Sequence, residues 1–295
     1  MEYMIMFFII FIWSFVGILV KTASLFVSSS VISFSRFFFG IIFLAVLLYI
    51  RDKKITIYWK YNWIWYGAIG KSLNYIFENI AISMGFAYGN IIVGPIQAML
   101  LIMVSAFYFK EEISRRSWVA TIMCVLGVIL VSWNGLPLHD LFKDHLIVTL
   151  LFVLSAIGAG IHFLSQKILI NSMDSAIMNF SVFSISTVIT AAPLPVTFAW
   201  KGSFSLLALL ALVFLGFATG ITFYLYANVL KKIPFLVAVI VSNSGILFTL
   251  LWAHLFFNEP ITHYIISGAS MFIVGMILLN IPKDMSLMSF LRTRS

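Results

Sequence analysis

The sequence predicts an all-α integral membrane fold, ten transmembrane helices built as two inverted five-helix repeats. Three observations predict it. Of 295 residues, 62% are hydrophobic and 9% charged, with a mean hydropathy of +1.10, whereas soluble domains run near about 45–50% apolar and 25% charged. The apolar residues gather into runs close to the ~20 residues that cross a bilayer core. The second half repeats the first at a fixed offset of 148 residues.

The runs lie at 4–20, 31–50, 62–84, 89–109, 117–133, 147–166, 176–193, 205–230, 234–257 and 263–281. The first carries Glu2 where a cleavable signal would need a positive flank, so it is expected to remain as a helix. The connections are short and leave no room for a soluble catalytic or ligand-binding domain. With the N-terminus inside, Arg51, Lys53, Lys54, Lys60, Lys110, Arg115, Arg116, Lys167, Lys231, Lys232, Lys283, Arg292 and Arg294 fall in inner segments. Only Lys21, Lys143 and Lys201 fall outside, with Arg36 at the outer mouth of span 2 and Lys71 inside span 3. This is the positive-inside asymmetry, so the net charge of +8 reports orientation and requires no nucleic-acid groove.

Other chemistries find no support. Cys124 is the one cysteine, which excludes an intramolecular disulfide, and no Cys/His cluster has metal-ligand spacing. Neither metal nor cofactor is expected. Gly70-Lys71-Ser72 imitates the end of a phosphate-binding loop, but the glycine needed five residues earlier is Trp65.

The repeat lays FKEEIS (109–114) on FNEPIT (257–262), so that Phe109 meets Phe257, Glu111 meets Glu259 and Ile113 meets Ile261. Without a gap, Met123 then meets Met271 and Gly127 meets Gly275. Upstream, Ala68 and Ser72 meet Gly216 and Gly220, small-xxx-small pairs that let helices approach closely in lipid. Each half holds five spans, an odd number, so the second enters the membrane upside down. The halves are expected at 1–135 and 145–283, followed by a basic tail at 284–295. Inverted repeats are the construction of secondary transporters, with the substrate near the midplane between halves.

A family pattern runs through the same residues: Trp13 in span 1, Arg36-Phe37 opening span 2, Leu73-Asn74-Tyr75 in span 3, Pro95 in span 4, and spans 4 and 9 ending at Glu111 and Glu259. In this order, from Trp13 to about Ile281, the chain resembles the EamA-type, ten-helix branch of the drug/metabolite transporter superfamily. The resemblance implies a five-plus-five inverted fold, a central cavity lined mainly by spans 3, 4, 8 and 9, and export or uptake of a small metabolite. Two features depart from it. The family's Gly before the span-ending Glu is Lys110 and Asn258 here, and a Lys/Glu pair within span 3 is not part of the general pattern.

On a helix, Lys71, Asn74, Tyr75 and Glu78 stand at i, i+3, i+4 and i+7 and form one polar stripe, about 10.5 Å long. Each charge facing lipid near the helix centre would cost about 2.5–3.5 kcal/mol on insertion scales, so the stripe faces protein or a watered cavity. The equivalent face of span 8 is Thr219, Thr222, Phe223 and Tyr226, polar and aromatic but uncharged. A scaffold need common to both halves does not explain the two charges. They fit a ligand-facing role, with Lys71 for a carboxylate or phosphate and Glu78 for an amine or a proton; the alternative is an internal charge pair that fixes helix position.

The substrate-binding residues expected are therefore Lys71, Asn74, Tyr75 and Glu78, joined by Gln97 after the bend at Pro95, Trp13, Thr222, Tyr226 and Asn243; Glu78 is also the proton-coupling candidate. His162 and His254 read as packing residues. Glu111 and Glu259 read as caps, and Arg36 as an outer gate, an attractor of anions or a headgroup-snorkelling residue.

The function expected is secondary active transport, as exporter or exchanger, of a small polar or zwitterionic metabolite such as an amino acid, by alternating access coupled to protons through Glu78. The rivals are a membrane receptor or scaffold without flux, and a membrane enzyme, which would need paired acids, a metal set or a nucleophile with its base. No such constellation is present in the spans, so no enzyme activity is expected. The partners expected are the lipid bilayer, a small-molecule substrate and protons, but not nucleic acid, and the chain is expected to act as a monomer or weak homo-oligomer. The setting expected is the cell (inner) membrane, multi-pass, with both termini cytoplasmic.

Overall fold

The computed structural model describes residues 2–107, 115–135, 146–201, 205–232 and 245–280. Helices α1 (Glu2–Ser14) and α2 (Val16–Ser24) form one rod broken at Phe15, followed by α3 (Ser29–Asp52) and α4 (Asn62–Met84). A 3-10 turn at Ala87–Ile92 leads into α5 (Val93–Phe107), then α6 (Arg115–Trp133), α7 (Leu146–Leu169), α8 (Ser175–Ala191), α9 (Leu206–Leu230), α10 (Gly245–Phe257) and α11 (His263–Asn280). Expected sites Glu111 and Asn243 lie outside the described residues.

Among the described residues, four stretches are long and apolar enough to cross a membrane: Glu2–Ser24, Ser29–Asp52, Leu146–Leu169 and Leu206–Leu230. Apolar but shorter are Ser175–Ala191, Gly245–Phe257 and His263–Leu278. α4 is long enough, yet its polar stripe dilutes its hydropathy. The outside of the bundle is apolar and the inside is not. α7 exposes Leu150, Leu154, Ile157 and Ile161 while burying Ser155, His162, Ser165 and Gln166. Lipid cannot satisfy polar groups, so they turn inward and bond across helices. Gln166 donates to Asn179 Oδ1 at 2.9 Å, Ser165 to the Trp63 carbonyl at 2.6 Å and Asn79 to Ser33 Oγ at 2.8 Å.

Glycines set where helices cross. A Cβ on Gly158 of α7 would lie 2.5 Å from the Gly70 carbonyl of α4 and 2.6 Å from the Asn74 nitrogen. The second close crossing joins α3 and α9: a Cβ on Gly220 would stand 2.4 Å from the Gly40 carbonyl, and one on Gly216 would stand 2.2 Å from Phe39 Cβ. The small-residue pair read in span 8 thus seats α3. Its counterpart in α4, Ala68 with Ser72, faces α8, whose Ser186 donates to the Ala68 carbonyl at 3.1 Å.

α6 and α11 run antiparallel. Going up α6, Cys124 lies against Gly275, Gly127 against Phe272, Val131 against Gly268 and Gly135 against Tyr264. Gly127 and Gly275 are equivalents at the 148-residue offset, as are Cys124 and Phe272, so the two helices present the same surface to each other. The remaining pairings follow the same exchange: α4 packs on α7 and α8, and α9 packs on α1, α2 and α3.

Ion pairs at the helix ends tie the two halves of the chain together. Arg51 meets Asp174 at 2.9 Å, and Lys232 meets Glu2 at 3.0 Å. Asp174 also caps α8 by accepting from the Ala176 and Ile177 nitrogens. Partial burial pushes the Asp174 carboxyl up, but the Arg51 guanidinium and the two N–H groups outweigh it and hold the carboxyl below the ordinary aspartate range.

Candidate functional site

α4 carries the site because it is wedged against α7, α8 and α3 with its polar stripe turned inward. Lys71, Asn74, Tyr75 and Glu78 are all buried, and all four line one cavity of about 190 Å³. The opposite walls are Trp13 and Val16 of the first rod, Asn90, Gly94 and Gln97 around the start of α5, Ala159 and Phe163 of α7, and Ala218, Phe223 and Tyr226 of α9.

Each polar group is held by a neighbouring helix. Asn74 Nδ2 donates to Ser155 Oγ at 2.7 Å, which turns its Oδ1 toward Lys71 Nζ at 2.9 Å. The Lys71 ammonium also sits 4.3 Å from the Tyr75 ring centroid and 4.1 Å from that of Phe223, distances at which a cation is attracted by an aromatic face. The Tyr75 hydroxyl and Thr219 Oγ1 are 3.1 Å apart, and its ring stacks on Phe37 at 4.9 Å.

Glu78 does not pair with Lys71. Its Oε2 accepts from Arg36 Nη1 at 3.1 Å, because two helical turns along one helix separate Lys71 and Glu78 beyond direct contact while α3 delivers a guanidinium beside Glu78. Arg36, expected at the outer mouth of its span, is instead 3% exposed. Its guanidinium carbon lies 3.4 Å from the Tyr75 centroid and Nη1 also donates to Asn79 Oδ1 at 3.0 Å. The sequence placed Arg36 by distance along the chain; the closed packing of α3 on α4 draws it inward.

Three further expectations are corrected. Thr222 faces Trp13 and not the cavity: its hydroxyl accepts from Trp13 Nε1 at 2.6 Å and donates to the Ala218 carbonyl. Pro95 stands in the first turn of α5, directly after the 3-10 turn, where its missing N–H has little to disturb. Lys21 closes α2 instead of lying in a loop, and its Nζ donates to the Ile82 carbonyl at 3.3 Å and to that of Gly85. Residues missed in the sequence were Asn79, Ser155 and Asn90, whose buried Oδ1 has no partner among the described residues. A lone Asn in the apolar run around GNIIVGP was the available signal.

Polar contacts also fix the turn that leads into α5. Glu259, after α10, accepts from the Ala87 and Tyr88 nitrogens at 2.7 and 3.3 Å, which caps the 3-10 turn leading to α5. His254 Nδ1 lies 3.0 Å from the Glu259 carbonyl oxygen, and His162 Nδ1 lies 3.2 Å from the Gly67 carbonyl with its ring against Phe183 and Phe223. His254 packs as expected; His162, expected as a satisfied packing residue, is buried but has no partner for Nε2 among the described residues; Glu259 caps as expected, although on another helix.

An apolar-shelled helical bundle around a charged internal cavity defines a polytopic membrane protein with an internal polar chamber. The profile of the EamA-like transporter family matches residues 1–133 and again 146–281, and the chain belongs to that family. A solved structure described only as "Crystal structure of protein" is similar with a TM-score of 0.69 at 14% identity, covering 94% of this chain and 96% of that one; at that identity it speaks for the fold alone. No curated protein matches.

Proposed function

We propose that this member of a transporter family is a secondary active transporter for a small polar or zwitterionic metabolite such as an amino acid, working by alternating access. The single observation that carries the reading is the charged cavity of about 190 Å³ inside an apolar-walled bundle, lined by Arg36, Lys71 and Glu78. Intramembrane charges facing an internal chamber mark a substrate or ion path. Lys71, Asn74, Tyr75, Glu78, Gln97, Trp13 and Tyr226 are its substrate-facing residues, with Thr222 acting by holding Trp13.

The scaffold in this reading is ten spans in two inverted halves, with both termini on the cytoplasmic side. The antiparallel α6 and α11, meeting through equivalent residues, support the inversion. Glu259 on the 3-10 turn before α5, whose first turn lines the chamber, is then one of the contacts that must break as access alternates. Glu78 is the proton-coupling group: a proton on its carboxylate would release Arg36 from the pair at 3.1 Å and change the charge of the chamber by one. Direction is export or exchange.

The test is reconstitution. In proteoliposomes loaded with candidate amino acids and given an imposed pH gradient, the protein accelerates efflux and Glu78→Gln abolishes the response to the gradient while leaving exchange in place. An unchanged gradient response in Glu78→Gln removes the coupling role, and ligand binding without any flux makes the protein a receptor.

A further inference from the structure

The cavity is electrically unbalanced. Arg36 and Lys71 bring two positive charges and Glu78 one negative, and Glu78 is already taken by Arg36. Among the described residues, Lys71 Nζ has a single acceptor, Asn74 Oδ1, although an ammonium carries three donors. Around it also stand the Tyr75 and Phe223 rings and, beside Phe223, the buried imidazole of His162, a neutral neighbour that supplies no counter-charge. Asn74 cannot do more, since its amide is fixed by Ser155. Arg36 Nε, also buried, has no acceptor among the described residues.

Among the described residues Lys71 is thus a buried cation whose one nearby carboxylate is paired elsewhere; such a cation is costly, and a single bound anion relieves it. From this we infer that the chamber's ligand is a small organic monocarboxylate whose carboxylate binds Lys71, an inference that rests on the cavity being the substrate site proposed above. One net positive charge suits a monoanion and leaves a phosphate dianion overcompensated. A cationic amine would meet two like charges and no free carboxylate. The body of the ligand meets rings: Phe163, Phe223 and Tyr226 line the chamber, and Trp13 joins them with its only N–H already given to Thr222. An apolar or aromatic tail therefore fits where a polyhydroxy one would lose its hydrogen bonds. An amino group on the ligand is tolerated through neutral acceptors such as Asn90 Oδ1, and the carboxylate supplies the recognition.

The test uses the purified full-length protein in detergent, with titration calorimetry and thermal shift on three ligands of one shape: 3-phenylpropionate, 3-phenylpropanamide and 3-phenylpropan-1-amine, with butyrate and hexanoate as smaller carboxylates. The carboxylates are expected to bind, the amide at least about tenfold more weakly and the amine not at all, the loss expected for a charge-assisted bond. Lys71→Met is expected to bring the carboxylate down to the amide's affinity, and Lys71→Arg to retain the preference. Equal or tighter binding of the amide or amine, or no binding of any carboxylate, overturns the inference; the wild-type comparison decides it even if Lys71→Met does not fold. Binding of carboxylates without their flux into vesicles counts against transport alone. Flux of amines or neutral solutes through the same chamber, without carboxylate binding, counts against the carboxylate alone.

Discussion

At the residue scale, Arg36 and Glu78 are the pair on which the site's electrostatics turn. Removing one member of a buried pair strands the other, at a cost of about 3–5 kcal/mol, whereas removing both leaves no orphan charge. Arg36→Met is therefore expected to lower the melting temperature sharply, and adding Glu78→Gln is expected to recover most of it, as read by melts in detergent. A double variant no better than the single one would mean that Arg36 acts through Tyr75 and Asn79 alone. The stripe Lys71, Asn74, Tyr75 and Glu78 was legible in the sequence because helical periodicity fixes which side chains share a face. Arg36 as a partner was not, since which helix a face meets depends on packing across 42 residues of chain. Thr222 shows the same limit from the other side: the repeat gave its face correctly, and the Trp13 indole decided that this face ends in a hydrogen bond short of the chamber.

Among the elements, the crossing of α4 on α7 holds the stripe in place. Gly158→Val would drive a branched side chain into the Gly70 carbonyl, 2.5 Å from where its Cβ must stand, part the two helices and detach Asn74 from Ser155. Loss of the folded, monodisperse peak in size-exclusion chromatography is the expected result. Gly160, two residues on and about 200° round the same helix, has nothing within 4 Å of an added Cβ, so Gly160→Ala is expected to elute and melt like the parent or slightly above it, by its better helix propensity. Equal behaviour of the two variants would remove the crossing from the account. Small-residue spacing in spans 3 and 8 was readable in advance. The partner glycines were not: Gly40 stands alone in its helix, and nothing in the sequence tells Gly158, which meets α4, from Gly160, which meets nothing, until a second helix is laid on them.

For the whole molecule, the apolar shell and the repeat were open to sequence reading because both are periodic over long distances. The helix that carries the stripe, α4, is long enough to span but polar, and among the described residues it falls outside the four long apolar stretches. The polar residues of that stripe are what weaken its signal as a span. The account's central claim is that the stripe faces a chamber reached by water from each side of the membrane in turn. The direct measurement is labelling of single cysteines in a Cys124→Ala background by a membrane-impermeant thiol reagent added to one face or the other of oriented vesicles. The account predicts that Gln97→Cys and Ala159→Cys, on the chamber wall, react from both faces during turnover and are protected by ligand, while Leu154→Cys and Leu210→Cys on the outer shell stay unlabelled. Chamber cysteines that never react, or shell cysteines that react in their place, would contradict it.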